Sequence, residues 1–191
     1  MTPPLTQPGP LADSLRAAKV VRKGEYNYLI HPLLDGVPRC PPELLKEWVR
    51  WARLTGLPES ATLLLAPEAM ALPLAAALGQ ATGLPYAIAR KRAYGLPGER
   101  AVAAKTGYGE AVLHLNDVHR GDKVLVVDDV VSTGGTLRAI FEAVRMTGAG
   151  LAGAVVVLDK GPARKRLEAE FRVPVQAAAT VAVGPNGVEV L

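Results

Sequence analysis

The chain has 191 residues, 49% of them hydrophobic, and 22 Lys+Arg against 18 Asp+Glu give a net charge of +4. That is enough apolar material for a packed core, and too even a charge balance to indicate nucleic-acid binding on electrostatics alone. The single cysteine, Cys40, excludes an internal disulfide and a cysteine-based zinc site.

Residues 1–10 are Pro-rich and polar and read as a loose tail, without the basic and apolar regions of a signal peptide. Residues 11–38 hold a helical patch and then the aromatic run Glu25-Tyr26-Asn27-Tyr28. Pro41 and Pro42 open a helix on which Leu44, Leu45, Trp48 and Trp51 recur at near-helical spacing up to Gly56. Short apolar runs then follow at 62–66, 86–89, 124–127, 154–158 and 175–181, with helical stretches at 69–80, 135–147 and 163–170. Continuous apolar strands separated by helices predict an α/β fold, a parallel sheet covered on both faces. The most apolar stretch, 61–89, is broken by Pro67, Glu68, Pro73 and Pro85, so it is no membrane span. Residues 91–122 form the one long interruption, with five glycines and room for a short hairpin around 111–115. Insertions of this kind in compact domains are usually functional lids. His31, His114 and His119 lack metal-binding spacing and read as surface or turn residues.

The chemistry concentrates in Lys123-Val-Leu-Val-Val-Asp128-Asp129-Val-Val-Ser132-Thr133-Gly134-Gly135-Thr136. A buried strand ends in two carboxylates, and a hydroxyl- and glycine-rich loop then turns into a helix. Ligands of open parallel sheets bind beyond the carboxyl ends of the strands, where this loop falls. Gly134 and Gly135 allow consecutive N–H groups to face one anion, the helix N-terminus adds partial positive charge, and Ser132, Thr133 and Thr136 add hydroxyl donors. The acids repel phosphate and suit the vicinal hydroxyls of a ribose, with a divalent cation nearby. No Gly-x-x-x-x-Gly-Lys-Ser/Thr loop occurs. Gly148-Ala-Gly150-Leu-Ala-Gly153 fits Gly-x-Gly-x-x-Gly but follows a helix and precedes a strand, the reverse of a dinucleotide site; it reads as a helix stop and connector.

This strand-loop-helix resembles the 5-phosphoribosyl 1-diphosphate (PRPP) motif of the type I phosphoribosyltransferase family. The segments Glu25 to Pro38, Arg90 to Glu99, Thr106-Gly-Tyr-Gly109 and Leu113-His-Leu-Asn116 resemble the archaeal hypoxanthine/guanine enzymes of that family, a subgroup related to adenine phosphoribosyltransferases. The resemblance implies a type I fold with a central parallel sheet, a small N-terminal hood (about 11–40) and a flexible lid (about 91–122) in one domain of residues 1–191. It implies transfer of the phosphoribosyl group from PRPP to a purine, with release of pyrophosphate, by a homodimer; the lack of signal-peptide and membrane-span patterns reads as a cytoplasmic protein. Asp128 and Asp129 would hold the ribose hydroxyls, and Ser132, Thr133, Gly134, Gly135 and Thr136 the 5′-phosphate. Glu68 and Ala69, in a short loop, with Arg90 and Lys91 after the second strand, would meet the pyrophosphate. Tyr26 or Tyr28 of the hood would stack on the base, and Leu96, Pro97, Gly98, Glu99 and Tyr108 belong to the lid. Mg²⁺ would be bound mainly through PRPP, with Asp128 and Asp129 its candidate protein ligands.

Three positions depart from the family pattern. Ser132 stands where mammalian-type enzymes carry an acid, and Gly107 where adenine enzymes carry a lid Glu. Glu99 and Glu110 are the candidates to replace it. Ala71 stands where a glycine is expected. The other class of function open to such a domain is a PRPP-sensing regulator, but too few residues precede the hood to form a DNA-reading module.

Overall fold

A computed structural model describes residues 9–191 except Glu25, Gly56, Gly107, Tyr108 and Asn186. Six strands form the central sheet in the order β10-β9-β8-β7-β3-β4, with β3 spanning Leu63–Pro67, β4 Tyr86–Ala89, β7 Lys123–Val131, β8 Gly150–Asp159, β9 Val175–Gly184 and β10 Gly187–Val190. The neighbours β4, β3, β7, β8 and β9 are parallel, and β10 closes the edge antiparallel to β9.

Period-two alternation along the apolar strands sends successive side chains into two separate cores. Leu64, Ala66, Leu125, Val127, Val155 and Val157 face the first core. There they meet α1 (Pro10–Arg16), α3 (Pro42–Thr55) and α4 (Ala71–Thr82) through Leu11, Leu15, Trp48, Leu74 and Leu78. Leu63, Leu65, Val124, Val126, Ala154 and Val156 face the second core. It is filled by α5 (Gly135–Thr147) and α6 (Ala163–Phe171), through Leu137, Ile140, Phe141, Leu167 and Phe171. The rings of Phe141 and Phe171 meet edge to face with centroids 5.0 Å apart.

The amino-terminal part is more ordered in pattern than its sequence suggests. Pro10, expected in the tail, belongs to α1, whose Leu11, Ala12 and Leu15 are buried; residues 1–8 of that tail lie outside the described residues. An antiparallel hairpin of β1 (Lys19–Lys23) and β2 (Tyr26–Ile30) precedes the one-turn α2 (Pro32–Asp35), where only a helical patch and an aromatic run were expected. The 91–122 insertion is likewise regular over much of its length. β5 (Arg100–Thr106) and β6 (Gly109–Leu115) pair antiparallel, and Ala104, Leu113 and Leu115 are buried in the second core.

The Gly-rich run after α5 is only in part a connector. Gly148 caps α5 at φ 81°, but Gly150 opens β8 and Gly153 lies within it at φ 138°. A Cβ at Gly153 would stand 2.5 Å from the Pro174 carbonyl oxygen, so glycine lets two backbones approach where the β7–β8 register shifts.

Candidate functional site

β7 continues four residues past its apolar run and carries both acids within the strand. Asp128 pairs in register with Val156 of β8 and is 5% exposed. Its carboxylate accepts the Asp129 N–H at 2.9 Å, and the Asp129 carboxylate accepts the Val130 N–H at 2.8 Å. Burial pushes the Asp128 carboxyl well above the ordinary carboxylate range, and the Asp129 charge adds to it. Burial also raises Asp129, and the charge of Asp35 contributes in the same direction. Two adjacent, water-poor carboxylates of this kind attract hydroxyl donors or a cation strongly.

The loop after β7 turns at Gly134, which has φ 83° and serves as the N-cap of α5. The Thr133 hydroxyl reaches the Gly135 N–H at 3.5 Å. Gly134 is also pressed against α6, since a Cβ there would lie 3.1 Å from that of Ala163 and 3.3 Å from Leu167 Cδ1. A side chain is therefore excluded twice, by backbone conformation and by packing.

A cavity of about 300 Å³ opens over the carboxyl ends of the strands. It joins Asp128, Asp129 and Thr136 to Glu68, Ala69 and Met70, which link β3 to α4, and to Ala71, the first residue of α4. The Glu68–Ala69 peptide bond is cis. The hood side is closed by Leu29 of β2 and by Leu34 and Asp35 of α2, and Lys160 completes the lining. Tyr28 sits half-buried beside Leu29 and is not among the lining residues; the Tyr26 side chain and Tyr108 lie outside the described residues. A larger groove of about 640 Å³ runs between α3 and α4, lined by Leu45, Val49, Leu54 and Ala77. None of the carboxylates above reaches it, so size alone does not locate the site.

Lys160, Leu29, Leu34 and Asp35 were missed in the sequence. Lys160 was within reach of the rule that found the acids, because it follows the last residue of β8. Its N–H donates to the Val131 carbonyl at 2.9 Å. Behind it, the buried Asp159 accepts from Arg164 at 2.8 Å and from the Gly161 N–H at 3.1 Å, fixing the turn. Leu29 and Leu34 carry no signal beyond being apolar, and Asp35 none beyond being a polar residue at the end of a short turn.

Arg90 and Lys91 follow β4 and are tied to the β3–α4 loop through one residue. Glu68 accepts the Lys91 N–H at 2.8 Å and stands 2.7 Å from Arg90 Nε. Leu96, Pro97 and Gly98 form an exposed turn at the base of the β5–β6 hairpin. Glu99 is held at that base: the Asn116 amide, and after it the Tyr94 N–H, keep its carboxyl below the usual range.

Two histidines depart from the surface reading. His31 is fully buried as the N-cap of α2, where Nδ1 accepts the Leu33 N–H at 3.3 Å and Nε2 lies 2.9 Å from the Ser14 hydroxyl. The Asp35 carboxylate accepts the His31 N–H at 2.9 Å, a reciprocal arrangement resembling a capping box. Burial lowers the imidazole to about 4. His114 is largely enclosed, with Nδ1 3.3 Å from Glu99. His119 is exposed as expected.

The strand order, the acid-bearing β7 and the glycine turn define a type I phosphoribosyltransferase fold. An adenine phosphoribosyltransferase from Rhodothermus marinus superposes with a TM-score of 0.72 at 23% identity, over 89% of this chain and 97% of that one. The chain belongs to the phosphoribosyl transferase domain family, which matches residues 43–191. It is 44% identical over 181 residues to a hypoxanthine/guanine phosphoribosyltransferase from Methanocella paludicola, covering 95% of this chain and 94% of the relative. An HGPRTase-like protein from Halobacterium salinarum is 47% identical over 154 residues, 80% of this chain and 81% of its own length.

Proposed function

We propose that the protein transfers the 5-phosphoribosyl group of PRPP to a purine, hypoxanthine or guanine ahead of adenine, within a single phosphoribosyltransferase domain. The observation that carries this is the shared cavity. It brings the acid pair and Thr136, the Glu68–Ala71 loop, and an apolar hood wall of Leu29 and Leu34 into one space. Those three surroundings match the three parts of the reaction: a ribose phosphate, a diphosphate leaving group and a flat apolar base. The relatives named hypoxanthine/guanine phosphoribosyltransferase support the choice of base.

Each group then has a task. Asp128 and Asp129 accept hydrogen bonds from the ribose hydroxyls, whose approach relieves two crowded carboxylates. The 132–136 loop and the N-terminus of α5 hold the 5′-phosphate with backbone N–H groups and hydroxyls. As the bond from the anomeric carbon to diphosphate oxygen breaks, Arg90 and Lys91 neutralise the leaving group, with Glu68 setting the angle of the first. The bond from the anomeric carbon to a ring nitrogen forms, and the base gives its N–H proton to the departing diphosphate or to water. Leu29 and Leu34 wall the base side with apolar surface, and the 91–122 lid shields the developing ribose cation from water.

Adjacent carboxylates are hard oxygen donors that fit Mg²⁺. Among the described residues no group of three or more His, Cys, Asp or Glu could hold a metal, so the cation would take the rest of its ligands from PRPP. When bound, Mg²⁺ supplies charge neutralisation for the diphosphate. Among the described residues no helix is long and apolar enough to cross a membrane. The cytoplasmic setting rests on the sequence pattern and the homodimer on the family resemblance, and light scattering on the purified protein tests the dimer.

The decisive experiment incubates the protein with Mg²⁺, PRPP and each of adenine, hypoxanthine, guanine and xanthine, and follows pyrophosphate. Release with a 6-oxopurine is expected. Saturable PRPP binding without turnover of any base would refute the enzyme reading and leave a PRPP sensor.

A further inference from the structure

Glu99 was a candidate to stand in for the lid acid of adenine enzymes, but its surroundings give it different work. Its side chain is only 13% exposed. One carboxylate oxygen accepts the Tyr94 N–H and the Asn116 amide, both at 2.9 Å. The other lies 3.4 Å from the Gly95 N and 3.3 Å from His114 Nδ1. A carboxylate gathering contacts from four partners has little capacity left for a substrate.

Two routes lead from this carboxylate to Arg90. The backbone of His114 in β6 pairs antiparallel with that of Arg90, the residue after β4, in both directions, at 2.9 Å and 2.6 Å. The Tyr94 ring, whose N–H Glu99 holds, lies 6.0 Å below the Arg90 guanidinium and 5.7 Å below that of Arg92. Arg90 in turn meets Glu68, which lines the cavity with Asp128 and Asp129. Glu68 thus holds Arg90 directly, and Glu99 reaches it through Tyr94 and His114.

We propose that Glu99 is a positioning residue for the diphosphate end of the site. By fixing Tyr94 and His114 it orients the Arg90 guanidinium toward the leaving group; it takes no proton from the base. This rests on the proposed phosphoribosyl transfer, in which Arg90 meets the diphosphate.

The test compares wild type, Glu99→Ala, Arg90→Ala and the double variant by direct PRPP binding and by steady-state kinetics. Glu99→Ala is expected to weaken PRPP binding and raise its KM about tenfold, with the KM for base within about twofold. In the Arg90→Ala background the same substitution should change PRPP binding by less than about twofold, because the group it orients is gone. Equal losses in both backgrounds, or a matching rise in the KM for base, would overturn the proposal in favour of a merely structural hairpin contact. If Glu99→Ala fails to fold, Glu99→Gln serves in both backgrounds, since its single oxygen still meets Tyr94 and Asn116. A rise of about threefold in the KM for PRPP is then expected, and unchanged PRPP binding overturns the proposal. Absence of turnover by wild type alongside normal PRPP binding counts against the proposed function alone, because the binding comparison still stands. Absence of PRPP binding by wild type removes both.

Discussion

Replacing Gly134 by Ala tests how far the proposed phosphate loop is fixed by the second core. A non-glycine residue at φ 83° costs about 1 kcal/mol or slightly more. The new methyl would also stand 3.1 Å from Ala163 Cβ and 3.3 Å from Leu167 Cδ1, tight enough to displace α6 by a few tenths of an ångström. Overpacking of that kind costs about 1–3 kcal/mol. The sum, roughly 2–4 kcal/mol, lowers the melting temperature of a chain this size by about 4–16 °C. Urea unfolding gives the loss directly, and PRPP titration should show weaker binding as the loop N–H groups shift. The two causes separate in a cycle with Ala163→Gly. Removing the opposing methyl should recover the packing share and leave the backbone share, a coupling of about 1 kcal/mol or more. A loss under about 0.5 kcal/mol for Gly134→Ala, or no coupling to position 163, would refute the packing argument.

Three further outcomes follow from the same geometry. Asp128→Asn should abolish PRPP binding yet stabilise the free protein. The native carboxyl is raised, so its contribution to stability is greatest at acid pH and is lost as pH rises from the unfolded value through the folded one; the variant should lack that part of the stability–pH slope. Wild-type binding strength in Asp128→Asn would sink the ribose assignment. His31 is lowered to about 4 from 6.5, so folding must lose up to about 3 kcal/mol as pH falls from 6.5 through 4. His31→Asn, which keeps a capping acceptor, should flatten that decline in urea titrations, and an unchanged slope refutes it. Gly153→Ala forces a methyl to 2.5 Å from the Pro174 oxygen at φ 138° and should cost about 3 kcal/mol or more. Soluble protein with near-native urea stability would show that the β8–β9 approach is not tight.

The parallel strands and α5 were legible because burial on both faces leaves a simple record. The run Val124-Leu-Val-Val127 is apolar throughout, and Gly148 marks the end of α5 at the predicted residue. β1 left no such record. Its Lys19, Arg22 and Lys23 flank two valines, and Val21 is 48% exposed, so neither alternation nor continuity stands out. Gly153 was misassigned because a glycine signals a turn and a close backbone approach equally well, and only Pro174, twenty-one residues on, decides between them. His31 looked like a surface residue because its burial comes from Ser14 and α1, which a local window does not see. In the candidate site the acids and the glycine turn are contiguous in sequence and were found together. Glu68 to Ala71, Leu29, Leu34 and Lys160 converge only through the strand order.

The division of the interior into two cores also bears on how such a protein changes over evolutionary time. The hood wall of Leu29 and Leu34 packs with α1, α3 and α4 on one face of the sheet, whereas Gly134 rests on Ala163 and Leu167 on the other. The two walls meet in one cavity but are braced from behind by different cores, so repacking behind Leu29 and Leu34 leaves the seat of the glycine turn on α6 in place. If the proposed roles hold, a scaffold braced in this way can exchange one nucleobase for another while its proposed sugar-phosphate half stays under constant selection.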